Sequence, residues 1–248
     1  MISVVICSID DKKFSITRAH YQAAMGDELE LIRISDARSM SEGCNRGIAQ
    51  CTGEIVIVSH DDVEFLTPGQ FKSRLLGHLA SCDLLGILGT TMLVGPAWAV
   101  AGPPYLVGQL ANHIDSERFD LSVVGTPRRL VHNVQAVDGV LMAMHRRILD
   151  RVRFDERFVD FHHYDIDFSF TAHLLGFRVA IATDLNVAHP RRRGWNANWD
   201  RSATAFLEKH NAVLPNRRVW DWNGAMVKGL SREELLPLME PPYWGGES

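Results

Sequence analysis

The sequence predicts an α/β fold, a mostly parallel mixed sheet flanked by helices, and three observations carry that expectation. Residues 2–59 alternate short apolar runs with helix-like segments, the pattern of a parallel sheet with right-handed crossovers. The apolar runs are rich in β-branched residues, as in Val4-Val5-Ile6 and Ile55-Val56-Ile57-Val58, which suits buried strands. Acidic residues stand just past those runs, at Asp10, Asp36 and the pair Asp61/Asp62. Ligands of open α/β sheets gather at that end of the strands.

Ile2 to Cys7 reads as the first strand. A helix follows from about Lys12 to Met25, closed by Gly26, because glycine tolerates the left-handed turn at a helix end. Glu28 to Ile34 alternates polar and apolar residues as a second strand does. Ser41 is the expected cap of the next helix, which runs toward Gly53. Glu54 to Ser59 is the clearest strand and leads straight into His60-Asp61-Asp62. Thr67-Pro68-Gly69 opens a helix to about Ser81, and Leu84 to Leu88 is a further strand. Residues 89–108, rich in Gly, Pro and apolar groups, read as a long irregular loop. Strands are expected at 121–124 and within 130–145, where Asp138-Gly139 divides two apolar runs. A helix from Asp165 to Leu175 ends at Gly176, a strand runs from Phe177 to Ala182, and a last helix covers Asn198 to His210. Residues 211–248 show no strong periodicity and read as a tail packed on the domain formed by residues 1–210.

The 248-residue length suits one such domain with a substantial core. A net charge of −4, from 26 basic and 30 acidic residues, argues against nucleic acid as a partner. No run of 18 apolar residues is present, so no transmembrane segment is expected, and the start lacks the basic region of a secretory signal. Cys7, Cys44, Cys51 and Cys82 form no CxxC pair, which points to free thiols in a reducing cytoplasm.

Adjacent carboxylates at the end of a buried strand suit a hard divalent cation such as Mg²⁺ or Mn²⁺, and such an ion neutralises a leaving diphosphate. A turn-capping role is the plainer alternative for Asp61 or Asp62. Asp165 and Asp167 fall at a helix start, where the dipole favours carboxylates; the catalytic alternative is a general base. His162, His163 and Asp165 with His60 and His189 would make a zinc site, but no metal-ligand spacing supports one. Arg191, Arg192 and Arg193 would grip a diphosphate or else form a solvated basic turn. Trp195, Trp199, Trp220, Trp222 and Trp244 would stack on a sugar or, more simply, pack the tail. Residues 8–13 contain no glycine, which disfavours a sugar-phosphate nucleotidyltransferase, since a triphosphate cradle needs glycines.

The run from Asn45 to Gln50, continued by Gly53-Glu54-Ile55-Val56-Ile57-Val58-Ser59-His60-Asp61-Asp62-Val63, resembles the strand and DXD region of family 2-type glycosyltransferases with the GT-A fold. Phe154-Asp155-Glu156, Tyr164-Asp165-Ile166-Asp167-Phe168, Gly176-Phe177 and His189 resemble the later segment of that family, in order and in register. The likeness spans about residues 1–210 and is nearest to small bacterial, streptomycin-biosynthesis-type domains. It implies a nucleotide-diphospho-sugar site with Mn²⁺ or Mg²⁺, a UDP-sugar donor, an inverting transfer, and an acceptor that is a glycan, a lipid-linked sugar or a small molecule. By motif, Asp62 and His189 would hold the metal, Asp61 would contact the donor, and Asp10 and Asp36 would hold the uridine. Asp138 and Gly139 would wall the sugar site, and Asp165 would be the base. Two positions depart from the pattern: His60 stands where the first Asp of the DXD motif is usual, and Tyr164 where a Glu is usual. The second departure motivates an alternative reading, a nucleotide-sugar-binding protein without transfer activity.

Overall fold

The computed structural model describes residues 1–125, 128–158, 161–190, 197–215 and 224–240. The elements are β1 (Ile2–Cys7), α1 (Asp11–Met25), β2 (Leu29–Ile34), α2 (Met40–Ile48), β3 (Ile55–Ser59), β4 (Glu64–Phe65), α3 (Pro68–Leu79), β5 (Leu84–Gly86), β6 (Leu88–Thr90), β7 (Leu106–His113), β8 (Arg118–Val124), β9 (Leu130–Val131), β10 (Ala136–Val137) and β11 (Leu141–His145). They continue with α4 (Tyr164–Leu174), β12 (Val179–Ala182), β13 (Val187–Pro190), α5 (Ala197–His210), β14 (Gly224–Ser231) and α6 (Arg232–Met239).

The first sheet has the order β2-β1-β3-β11-β5-β12-β9. β2, β1 and β3 run parallel, β11 is antiparallel between β3 and β5, and β12 returns parallel to β5. β1 and β3 are almost wholly buried, as their continuous apolar sequences require. Helix α1 begins where the Asp10 carboxylate accepts the backbone N–H groups of Lys12 and Lys13, satisfying two of the helix's orphan donors. It ends at Gly26, whose φ of 78° is accessible to glycine at little cost. Helix α2 starts two residues earlier than expected, because Ser39 rather than Ser41 caps it by accepting the Glu42 N–H. It lies directly on β1: a Cβ at Gly47 would sit 2.3 Å from Val5 Cγ1. Helix α3 buries Phe71, Leu75 and Leu79, one face at a spacing of four.

A second sheet carries the order β10-β6-β7-β13-β4, with β8 joined to β7 and β14 to β8. The apolar run 84–88 that reads as one strand is two, with β5 in the first sheet and β6 in the second. The expected loop 89–108 likewise contains the end of β6, a 3₁₀ turn at Trp98–Ala101 and the start of β7. The chain steps from one sheet to the other at 60–63, between β3 and β4, and at 138–140, between β10 and β11. His60 donates its N–H to the Val140 carbonyl at 3.1 Å, which holds the two crossings together. β13 pairs with β4 and so brings His189 beside the first of them.

Residues 224–240 add β14 to the edge of β8 and place α6 against the second sheet. Leu235 and Met239 are fully buried among Leu66, Ala111, Phe119, Leu121 and Ala188. A capping box between Ser231 and Glu234 starts the helix. Among the described residues, no helix is long and apolar enough to cross a membrane.

Candidate functional site

The rim where β1, β2 and β3 end opens on a cleft of about 670 Å³ lined by Cys7, Ser8, Asp10, Lys13, Ala37, His60, Asp61, Asp138, Phe161 and His189, among others. At two of its lining residues, His60 and His189, side chains from the two sheets converge with Asp62. His60 Nδ1 lies 3.0 Å from His189 Nε2, and His189 Nε2 lies 2.9 Å from Asp62 Oδ1. One ligand atom from each of His60, Asp62 and His189 falls within 4.8 Å of the others. Two imidazoles and a carboxylate make a donor set that suits a divalent cation. Neighbouring donors about 3 Å apart can both reach one ion at bonds of about 2.0–2.2 Å, so the residues present fit a metal. Lys13 Nζ approaches the other oxygen of Asp62 at 3.7 Å.

Asp61 is not a member of that cluster; its Oδ2 accepts the Ser8 hydroxyl at 2.8 Å while its carbonyl accepts the Thr17 hydroxyl at 2.6 Å. These bonds pin the turn to β1 and α1. Tyr21, buried in the core, donates to Ser59 Oγ at 2.8 Å and supports the end of β3.

A second cavity of about 310 Å³ adjoins the first and shares His60, Asp138, Phe161 and His162 with it. Trp98, His163, Tyr164, Asp165 and Trp199 complete its wall. Asp165, largely enclosed but open to this cavity, accepts the Gly139 N–H at 2.7 Å. Burial, and then the charge of Asp138, push its carboxyl up to about 7, because both disfavour a second negative charge there. Asp138 is held by the Trp98 indole N–H at 2.9 Å and the Val140 N–H at 2.9 Å. Tyr164 donates to the Gly139 carbonyl at 3.2 Å, and its oxygen lies 3.0 Å from His60 Nε2. Burial raises the Tyr164 phenol well above its ordinary value. His163 caps α4 from a left-handed conformation, φ 63°, and burial lowers its imidazole to about 4, leaving it neutral at pH 7.

The sequence pattern of the Glycosyltransferase like family matches residues 3–210. The chain belongs to this glycosyltransferase-like family. A protein of Fuscovulum blasticum described as ATP synthase subunits region ORF 6 is 27% identical over 187 residues, 73% of this chain and 70% of that protein. The mannosyltransferase PcManGT from Pyrobaculum calidifontis, solved in complex with GDP-Man and Mn²⁺, superposes with a TM-score of 0.53 at 13% identity, covering 98% of this chain and 69% of that one. That likeness shows the GT-A fold.

Within this glycosyltransferase fold, the residues singled out in the sequence are not all in one place. Asp62 and His189 meet, with His60 as a third partner; His162, His163 and Asp165, the other members of the zinc alternative, are not part of this cluster. Asp10, Asp61 and Asp138 line the larger cleft, and Asp138, Gly139 and Asp165 the smaller one. Asp10 is occupied as the cap of α1, and the Lys13 and Lys12 N–H groups hold its carboxyl below the usual range. Asp36 pairs with Arg46 on the surface, and its neighbour Ala37 lines the cleft in its stead. Asp167 joins Lys209 at 2.8 Å and His210 at 2.7 Å, tying α4 to α5. Arg191, Arg192, Arg193, Trp195, Trp220, Trp222 and Trp244 lie outside the described residues. Trp98 and Phe161 carried no motif; their only signal was an aromatic ring in a segment without periodicity.

Proposed function

We propose that this glycosyltransferase is metal-dependent and inverting, moving a sugar from a nucleoside-diphosphate donor, first of all UDP, to an acceptor hydroxyl. One observation carries the reading: two cavities share the wall of His60 and Asp138, with the His60/Asp62/His189 cluster on one and Asp165 on the other. The larger cavity would take the donor, and the smaller one the acceptor. Mn²⁺ or Mg²⁺, held by Asp62 and His189 with His60, would supply the positive charge that stabilises a leaving diphosphate. Asp61 and Asp10 would border the nucleoside, and Arg193 is the proposed contact to the diphosphate.

Asp165 is the proposed general base. A carboxylate whose conjugate acid is raised toward neutrality takes a proton more readily than an ordinary surface one while remaining substantially ionised at the working pH. The Gly139 N–H fixes one oxygen, and the charge of Asp138 strengthens its basicity. Trp98 and Trp199 line this cavity, where aromatic rings would pack on a sugar. Residues 1–210 would form the working unit, with the tail packed on it.

The test is the Asp165→Asn variant. Transfer should fall by about 10²–10⁴-fold, the range of a lost general base, while UDP affinity stays within a factor of two. Loss of UDP binding together with transfer would remove Asp165 from the role of base. UDP binding by the wild-type protein with neither transfer nor slow donor hydrolysis would favour a binding protein without turnover. GDP belongs in the same panel, since PcManGT was solved with GDP-Man.

A further inference from the structure

The contacts of Tyr164 fix which nitrogen of a neutral His60 carries the hydrogen. The Gly139 carbonyl can only accept, so the 3.2 Å contact takes the single hydrogen of the Tyr164 hydroxyl. The Tyr164 oxygen is then an acceptor toward His60 Nε2, 3.0 Å away. The His60 proton is therefore on Nε2, and its Nδ1, which lies 3.0 Å from His189 Nε2, carries a lone pair. In the opposite tautomer, a bare Nε2 would face the lone pairs of the Tyr164 oxygen. The space beside the hydroxyl is closed as well, since a Cβ on Gly139 would come within 2.2 Å of it.

Resting on the reading that His60, Asp62 and His189 hold a divalent ion, we propose that Tyr164 is a positioning residue that sets the tautomer of His60, turning its Nδ1 into a metal ligand. His60 and Tyr164, the two positions that depart from the family pattern, thus work as one device. Partners of this kind on the far nitrogen orient ligating imidazoles generally. The resulting set of two imidazoles and one carboxylate takes Co²⁺ and Zn²⁺ ahead of Mn²⁺, and Mg²⁺ last, because Mg²⁺ prefers oxygen donors.

The experiment is calorimetric titration of Co²⁺ alone, without nucleotide, into the wild-type chain, Tyr164→Phe, His60→Asp and the double variant. Tyr164→Phe should weaken Co²⁺ binding by about 10–100-fold, and Gly139→Ala, which displaces the same hydroxyl, should do likewise. In the His60→Asp background, which has no tautomer to set, Tyr164→Phe should change affinity less than twofold. An equal loss in both backgrounds, no loss in Tyr164→Phe, or no Co²⁺ binding by the wild type would each overturn the proposal. Long-range ¹H–¹⁵N spectra of the metal-free wild type need no variant to fold: His60 should be protonated at Nε2 and bare at Nδ1, and the reverse overturns the proposal. Both readings are made without nucleotide, so a failure to bind UDP would count against the proposed function and leave this inference to its own test.

Discussion

At the scale of the residue, Asp165 carries the sharpest expectations. Its carboxyl is raised to about 7 by burial and by Asp138. The rate of transfer should therefore rise with pH through a limb near 7 as the base ionises, and Asp138→Asn should move that limb to lower pH. A pH profile of kcat/KM measures both; a limb unmoved by Asp138→Asn would contradict the electrostatic account of Asp165. The same shift has a consequence for stability. The folded chain keeps a proton on Asp165 at pH values where the unfolded chain, near the ordinary carboxylate value of 3.8, has released it. That contribution is full below the unfolded pKa and is lost as pH rises toward 7. Asp165→Asn, neutral throughout, should be as stable as wild type at pH 3 and increasingly more stable than wild type as pH rises to 8, read from Tm. The motif pointed to Asp165 and to Asp62, yet nothing in the chain order reveals that Asp36 meets Arg46 or that His60 meets Tyr164. Those pairings span 10 and 104 residues and exist only once α2 and α4 are docked.

At the scale of the element, the parallel half of the fold was legible because β1, β2, β3 and their helices follow one another in sequence with clean periodicity. The second sheet was legible only in part, the strand expected at 121–124 lying within β8. Its strand β7 begins after a Gly- and Pro-rich stretch, and β6 shares one apolar run with β5. β14 and α6 went unread for want of a long pattern, although Ser231 and Glu234 spell a capping box. The packing of these elements can be tested with two glycines. Gly47→Ala in α2 would drive a Cβ to 2.3 Å from Val5 Cγ1 and should cost about 1–3 kcal/mol by overpacking. Gly77→Ala in α3 meets nothing within 4 Å and should stabilise by about 0.5–1 kcal/mol through helix propensity. Urea denaturation of both variants reads the pair, and equal effects would contradict the described helix faces. Leu235→Ala, at the fully buried contact of α6, should cost about 2–5 kcal/mol. A loss under 1 kcal/mol would mean that α6 is not docked as described.

At the scale of the whole molecule, function follows from where the chain changes sheets. The crossings at 60–63 and 138–140 are bound to each other through His60 and Val140, and β13 adds His189 from the second sheet. Two imidazoles that lie 129 residues apart in sequence thereby meet beside the Asp62 carboxylate. The two cavities share His60 and Asp138, the arrangement that group transfer between two bound partners needs. The central claim is that the larger cavity binds a nucleoside diphosphate through a divalent ion held by Asp62. Calorimetric titration of UDP, with and without Mn²⁺, into the wild-type chain and Asp62→Asn tests it most directly. Binding that requires Mn²⁺ and disappears in Asp62→Asn is the expected result; binding that ignores both the ion and the substitution would contradict the claim.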